Sequence, residues 1–218
     1  GKADGIVRLV VDAMRHFVRR GAVDQAIACE LLLYRLIVKF REDEARVEGY
    51  FSQWRDILHQ AGKTLRDEAA FSPGSGAGLV FQTLHSLGHV EVVYNTLKFS
   101  RPCPVYVIGT ANEDTVERFR DIGCKVTLLV DEKKSISTRL LRLRDCLAKD
   151  GIGVAVWVSV PTCAAFAFGM GMARKQVFWA QRYHAFIPGA DLYLCHGEDR
   201  DYHGKPWHGI RAPLIDWQ

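Results

Sequence analysis

Residues 78–97 read GLVFQTLHSLGHVEVVYNTL, and this stretch decides the fold. A short apolar run at residues 79–84 leads into a polar turn, and residues 92–97 then place apolar side chains at helical spacing. A strand, a tight turn and a helix in that order are typical of a βαβ unit. The stretch therefore predicts an α/β fold.

The same alternation continues along most of the remaining chain. Asn112 and either Ser135 or Ser137 are suited to cap helices, while Gly123 and Gly151 are suited to end them. This pattern predicts a Rossmann-like, mostly parallel sheet. The apolar runs that we interpret as strands are residues 79–84, 105–108, 126–130, 154–160, 177–180 and 192–195.

A helical segment precedes the alternating part. Residues 6–67 carry apolar side chains at helical spacing, with breaks predicted at Gly21, Gly49 and Gly62, so we expect three or four helices. The first two resemble an antiparallel hairpin. Residues 71–78 are mostly Ser, Pro, Gly and Ala, a composition that predicts a flexible junction. We therefore predict a helical module at 1–72 and a Rossmann-like α/β domain at 73–218, and leave open whether the module packs on the sheet.

Composition excludes several classes of protein. The 29 basic and 25 acidic residues among 218 give a net charge of +4, too small an excess to favour nucleic-acid binding. The sequence has no run of 18 apolar residues, so no membrane span is predicted, and its first residues lack an apolar signal segment. Six cysteines without a CxxC pair are typical of free thiols in a reducing compartment. We therefore predict a cytoplasmic protein.

Candidate functional residues lie directly after the predicted strands, because ligands bind at the carboxyl edge of an open parallel sheet. His89 is the strongest of them, since it follows the first strand and shares its turn with Gly88, although a lone His in such a turn is more often solvated. Thr162 is also suited to cap the apolar helix at residues 163–170. The complete set is His85, Gly88 and His89 after the first strand, Ser159 and Thr162 after the fourth, and Gln181 and His184 after the fifth.

Other familiar sites are not expected. The glycine clusters precede a strand (Gly74, Gly76, Gly78) or end a helix (Gly169, Gly171), so neither can hold a dinucleotide pyrophosphate. The chain has no phosphate-binding GxxxxGK[ST] loop and no GxSxG nucleophile turn.

Two polar clusters receive a structural interpretation. Cys195, His196, His203 and His208 are too irregularly spaced for a metal centre, so we predict no metal. Arg139, Arg142 and Arg144 share one helix face, which we interpret as solvated surface.

The quoted stretch resembles the opening of the amino-terminal domain of GT-B glycosyltransferases. Residues 154–160, 172–184 and 190–194 are similar to a pattern in bacterial protein N-glycosyltransferases and in the catalytic part of O-GlcNAc transferase. In this sequence Tyr183-His184-Ala185 stands where that family has Gly-His-Pro. The resemblance implies that residues 73–218 form the acceptor-side half of a GT-B fold.

The resemblance also implies a reaction and roles for residues. The enzyme would transfer a sugar from a nucleotide-sugar donor to a protein or glycan acceptor, with no metal and no cofactor beyond that co-substrate. His89 would be the general base, Gln181 and His184 would line the crevice, and Ser159 and Thr162 would contact the acceptor or the donor sugar. The donor-binding domain would follow Gln218, so this chain alone would be an inactive fragment.

Two other interpretations of the sequence remain open. The same crevice would suit a non-catalytic α/β module that binds a small ligand or a protein. A small hydrolase or isomerase that uses His85, His89 and His184 together is the second alternative. The hydrolase predicts activity from this chain alone, whereas the transferase half predicts none.

Overall fold

The computed structural model describes residues 2–40, 44–131, 133–159, 162–180, 187–202 and 204–210. Three long helices come first, strands and helices then alternate over residues 76–179, and three further strands complete the described part of the chain. The elements are α1 (Lys2–Arg19), α2 (Val23–Phe40), α3 (Glu44–Lys63), β1 (Gly76–Leu84), α4 (Gly88–Lys98), β2 (Val105–Ala111), α5 (Glu113–Asp121), β3 (Val126–Leu128), α6 (Ile136–Lys149), β4 (Ile152–Val158), α7 (Ala164–Met170), β5 (Lys175–Trp179), β6 (Leu192–His196), β7 (Arg200–Tyr202) and β8 (Lys205–Ile210).

The strands form one sheet in the order β3-β2-β1-β4-β5-β6-β8-β7. Neighbouring strands are parallel except for β7 and β8, which pair antiparallel. The predicted α/β class with a Rossmann-like, mostly parallel sheet is thus confirmed. The strand order reverses direction between β1 and β4, which makes that point the topological switch of the sheet.

Helices cover both faces of the sheet. Side chains of a strand point alternately to the two faces, so Phe81 joins a core with α4 and α5, whereas Val80 joins a core with α1, α2, α3, α6 and α7. Trp54 of α3 lies in that second core together with Trp157 of β4. The helical segment therefore packs on the sheet. The division into units at 1–72 and 73–218 stays a prediction.

α3 and α7 approach each other very closely. A Cβ atom on Gly62 of α3 would overlap the carbonyl oxygen of Phe166, and one on Gly169 of α7 would overlap the carbonyl oxygen of His59. Glycine is required at both positions because the two backbones touch. This contact fixes the helical segment on the sheet layer.

Most predicted element ends are confirmed. Asn112 accepts a hydrogen bond from the Thr115 amide, and Ser135 accepts one from the Thr138 amide, so both cap their helices. Gly123 and Gly151 end helices with φ of +90° and +74°. α1 and α2 pack against each other across the turn at Gly21.

Three expectations about local structure were wrong. α3 runs through Gly49, because tertiary packing outweighs the modest helix cost of one glycine. The predicted flexible junction contains the start of β1 at Gly76, where a Cβ on Gly78 would approach Tyr106 to 2.9 Å. Residues 200–210, interpreted as a loop over their first part, carry β7 and β8.

Candidate functional site

The candidate site is the crevice at the carboxyl ends of β1 and β4. The chain leaves β1 through α4 toward β2, and leaves β4 through α7 toward β5, which lies on the opposite side. The two connections diverge, and ligands of open parallel sheets commonly bind at such a point. We call this region the switch-point crevice and define it by the β1 turn (His85, Ser86, Leu87, Gly88 and His89) and the β4 turn (Ser159, Thr162 and Cys163).

The β1 turn leads directly into a helix end. α4 begins at Gly88, four residues earlier than the pattern at 92–97 suggested, so His89 is its second residue. The amides of Val90 and Glu91 donate to the Leu87 carbonyl, but Leu87 has no side chain able to cap the helix. The first amides of α4 and the helix dipole therefore favour a negatively charged or electron-rich group in the crevice.

His89 has the properties of a neutral base. Its side chain is partly buried, and burial lowers the pKa of His89 from its ordinary value near 6.5. A neutral imidazole has one nitrogen free to accept a proton at neutral pH. His85 is placed differently, because its Nε2 lies 3.1 Å from Thr110 Oγ1 at the end of β2.

A charged pair anchors the β1 turn. Glu91 accepts two hydrogen bonds from Arg118 of α5, at 2.7 and 2.8 Å, and one from Ser86 at 2.9 Å. Hydrogen bonds from Arg118 lower the pKa of Glu91, more than burial raises it. The Arg118 guanidinium also stacks 4.4 Å above the ring of Tyr94. The pair therefore fixes the first turn of α4 to α5.

The β4 turn has an unusual backbone. Ser159 and Cys163 have φ of +44° and +60°, a region that residues with a Cβ adopt at a cost of roughly 1–2 kcal/mol each. The Ser159 amide donates to the Trp179 carbonyl at 2.9 Å. Strain of this kind is common at functional sites and persists only where surrounding contacts enforce it.

Thr162 does not cap α7, contrary to the prediction. Cys163 is the capping residue, while Thr162 Oγ1 lies 2.8 Å from Gln82 Nε2 and 3.2 Å from Gln82 Oε1. Because Gln82 lies in β1, this contact joins β1 to the turn that follows β4. Gln82 was missed because it lies inside an apolar run.

The helical segment contributes directly to the β4 turn. The Cys163 amide donates to Glu30 Oε2 at 2.7 Å, and Glu30 pairs with Arg55 at 3.5 Å. The two side chains are 1% and 2% exposed. Burial raises the pKa of the Glu30 carboxyl, and the charge of Arg55 opposes that shift. One feature of the sequence could have indicated this buried contact. Glu30 is a charged residue on the apolar face of α2, after Ala26 and Ile27 and before Leu33.

The arginine face of α6 is only partly solvated. Arg139 donates to the Ile108 carbonyl at 2.7 Å, where β1 and β2 shift register, and Arg144 donates to the Leu65 carbonyl at 3.1 Å. Arg142 is exposed as predicted. The prediction of a solvated face was therefore wrong for two of the three arginines.

Five of the seven predicted site residues follow β1 or β4 at the carboxyl edge of the sheet, and their role in a site stays a prediction: His85, Gly88, His89, Ser159 and Thr162. Gln181 and His184 lie outside the described residues, as does His203 of the irregular Cys/His cluster. Among the described residues, no group of three potential metal ligands occurs, and no helix has the length and apolar character needed to cross a membrane.

Comparison with known proteins finds similarity among solved structures only. No protein-family model matches the chain, and no curated protein matches it. Among solved structures, a mutant O-GlcNAc transferase of Thermobaculum terrenum matches 88% of this chain at 14% identity, with a TM-score of 0.48. The chain spans 40% of the length of that transferase. The fold class described above rests on the strand order and helix layers of this chain.

Proposed function

We propose that this chain is the acceptor-side part of a GT-B type glycosyltransferase and that His89 is its general base. The observation that carries the proposal is the place of His89. It is a partly buried imidazole with a lowered pKa in the first turn of the helix that opens the switch-point crevice. The resemblance of residues 78–97 and 154–194 to this family supports the same assignment.

The proposed reaction needs a base at this place. The acceptor hydroxyl or amide gives its proton to the imidazole of His89 while its oxygen or nitrogen bonds to the anomeric carbon of the sugar. The bond from that carbon to the nucleoside diphosphate breaks, and the diphosphate leaves with the electron pair. A base whose pKa lies near or just below neutral pH suits the first step.

Other residues of the crevice would bind rather than react. Thr162 is buried and its hydroxyl bonds the Gln82 side chain, so its contribution would be to orient the Gln82 amide toward an acceptor. His85, Gly88 and Ser159 line the same edge. We assign the nucleotide-sugar donor mainly to a second Rossmann-like domain outside these residues, and the contacts of Gln181 and His184 stay predictions.

The test uses the natural full-length protein. Transfer from radiolabelled UDP-glucose, UDP-galactose and UDP-N-acetylglucosamine to a mixed peptide library would be measured for wild type and for His89→Ala. We expect His89→Ala to lower kcat by about 100-fold or more. His16→Ala, an exposed change on α1, is the control and should keep wild-type activity.

The pH profile separates a base from a merely structural histidine. We expect kcat/KM of the wild type to fall on the acidic side as His89 becomes protonated, and the residual activity of His89→Ala to lack that limb. Full activity of His89→Ala would exclude the assignment. Release of free sugar by the 218-residue chain alone would favour the hydrolase, and ligand binding without any reaction would favour the binding module.

A further inference from the structure

We propose that Glu30 is a positioning residue for the switch-point crevice. Its buried carboxylate, carried by the helical segment, holds the β4 turn in the conformation that presents Thr162 to Gln82. The proposal concerns the geometry of the crevice and does not rest on sugar transfer.

The β4 turn needs an external partner to keep its shape. Ser159 and Cys163 both have positive φ, which is unfavourable for residues that carry a Cβ. Thr162 lies directly before Cys163, so the backbone of Cys163 decides where the Thr162 hydroxyl points. Without a partner for the Cys163 amide, the turn would relax toward ordinary backbone angles and Thr162 would leave Gln82.

Glu30 provides that partner. Its Oε2 accepts the Cys163 amide at 2.7 Å in a place where Glu30 is 1% exposed, so water cannot replace it. Arg55 lies 3.5 Å from the other carboxylate oxygen and is itself 2% exposed. The pair fixes the direction in which the carboxylate faces the turn.

The same helix makes a second contact of this kind. Asp24 of α2 accepts hydrogen bonds from the Ser137 amide at 2.9 Å and the Ser137 hydroxyl at 2.8 Å, in the first turn of α6. Two carboxylates of α2 thus bind the starts of the helices that follow β3 and β4. Asp24 is a matched control, because it has the same chemistry on the same helix but contacts α6 and not the β4 turn.

Stability and positioning can be separated by changing both members of the buried pair. Removing one charge alone would strand the other, but replacing a buried ion pair by apolar side chains is often neutral. We therefore compare two double variants. The first combines Glu30→Gln with Arg55→Met, and the second combines Glu30→Met with Arg55→Met. The two double variants differ at residue 30 alone, where Gln keeps an acceptor oxygen of similar size and Met has none.

The measurement is hydrogen exchange of the Cys163 amide, together with alkylation of its buried thiol and urea unfolding of each variant. We expect exchange at Cys163, relative to global unfolding, to be faster by about tenfold or more in the Met/Met variant than in the Gln/Met variant. Thiol alkylation should follow the same order. Asp24→Ala, which removes the acceptor oxygens of that contact, should speed exchange at Ser137 and leave Cys163 unchanged.

Equal protection of Cys163 in the two double variants would overturn the proposal. If the Met/Met variant does not fold, hydrogen exchange of the Cys163 amide in the wild type is the deciding measurement. The proposal then requires its Cys163 amide to exchange only through large-scale opening, and exchange at the rate of an unprotected peptide would overturn it.

Discussion

Replacing Gly62 by Ala tests how the helical segment is held on the sheet. An added Cβ would overlap the carbonyl oxygen of Phe166 and would lie 2.8 Å from the amide nitrogen of Met170 and 3.0 Å from the Cα of Gly169. All three are backbone atoms of α7, so no side chain can rotate away. α3 and α7 would have to separate along their shared contact.

The magnitude follows from two opposing effects. Overpacking of a tight core contact costs typically about 1–3 kcal/mol, and more where the backbone must move. Ala in place of Gly within a helix returns about 0.5–1 kcal/mol. Because the backbone must move here, we expect Gly62→Ala to lower the free energy of unfolding by about 2 kcal/mol or more.

Urea unfolding followed by tryptophan fluorescence measures this change, because Trp54 and Trp157 both lie in the affected core. Gly49→Ala is the matched control. It changes the same residue type in the same helix, at a position where no atom lies within 4 Å of the new Cβ. The control should raise stability by about 0.5–1 kcal/mol. If Gly62→Ala stabilises the protein as Gly49→Ala does, the close contact between α3 and α7 does not exist.

Three further predictions concern the crevice and its supports. Asn112→Ala removes the cap of α5 and should cost about 1 kcal/mol of unfolding free energy in urea, whereas Asn112→Asp should cost much less. The lowered pKa of Glu91 means that its pairing with Arg118 stabilises the fold above the ordinary pKa of 4.5 and is lost as pH falls through the lowered value. The stability difference between wild type and Glu91→Gln, about 1 kcal/mol at neutral pH, should therefore shrink on acidification, and a difference independent of pH would refute the pairing. Because burial lowers the pKa of His89, wild type should lose stability relative to His89→Gln as pH falls below about 6.5, which thermal melts at several pH values would measure.

The sequence predicts the sheet well, because buried parallel strands are continuous apolar runs. Six runs match the six strands β1 to β6, although β1 starts three residues early at Gly76. Gly76 has no side chain, so it adds nothing to an apolar pattern. In the structure that lack of a side chain allows the backbone of Gly151 to lie close to Gly76. β7 and β8 were missed because their polar residues resemble a surface loop.

The candidate site was predictable only where it follows from a local pattern. The strand-turn-helix at residues 78–97 placed His89 at the carboxyl edge of the sheet. The contacts of Thr162 with Gln82 and of Cys163 with Glu30 join residues 80 and 133 positions apart, and no local spacing encodes them. Local capping rules therefore predicted that Thr162 caps α7, whereas its hydroxyl contacts Gln82.

The 133-residue separation between Glu30 and Cys163 also affects how the chain is made. At synthesis rates of roughly 5–20 residues per second, about 7–27 seconds pass between the emergence of these two residues from the ribosome. During that time β1, β2 and β3 are made, but α3 still lacks its partner helix α7 and the Glu30 carboxylate lacks the Cys163 amide. The side of α3 that packs on α7 therefore stays uncovered until β4 and α7 have been made, and we expect the growing chain to be most prone to aggregation in that interval.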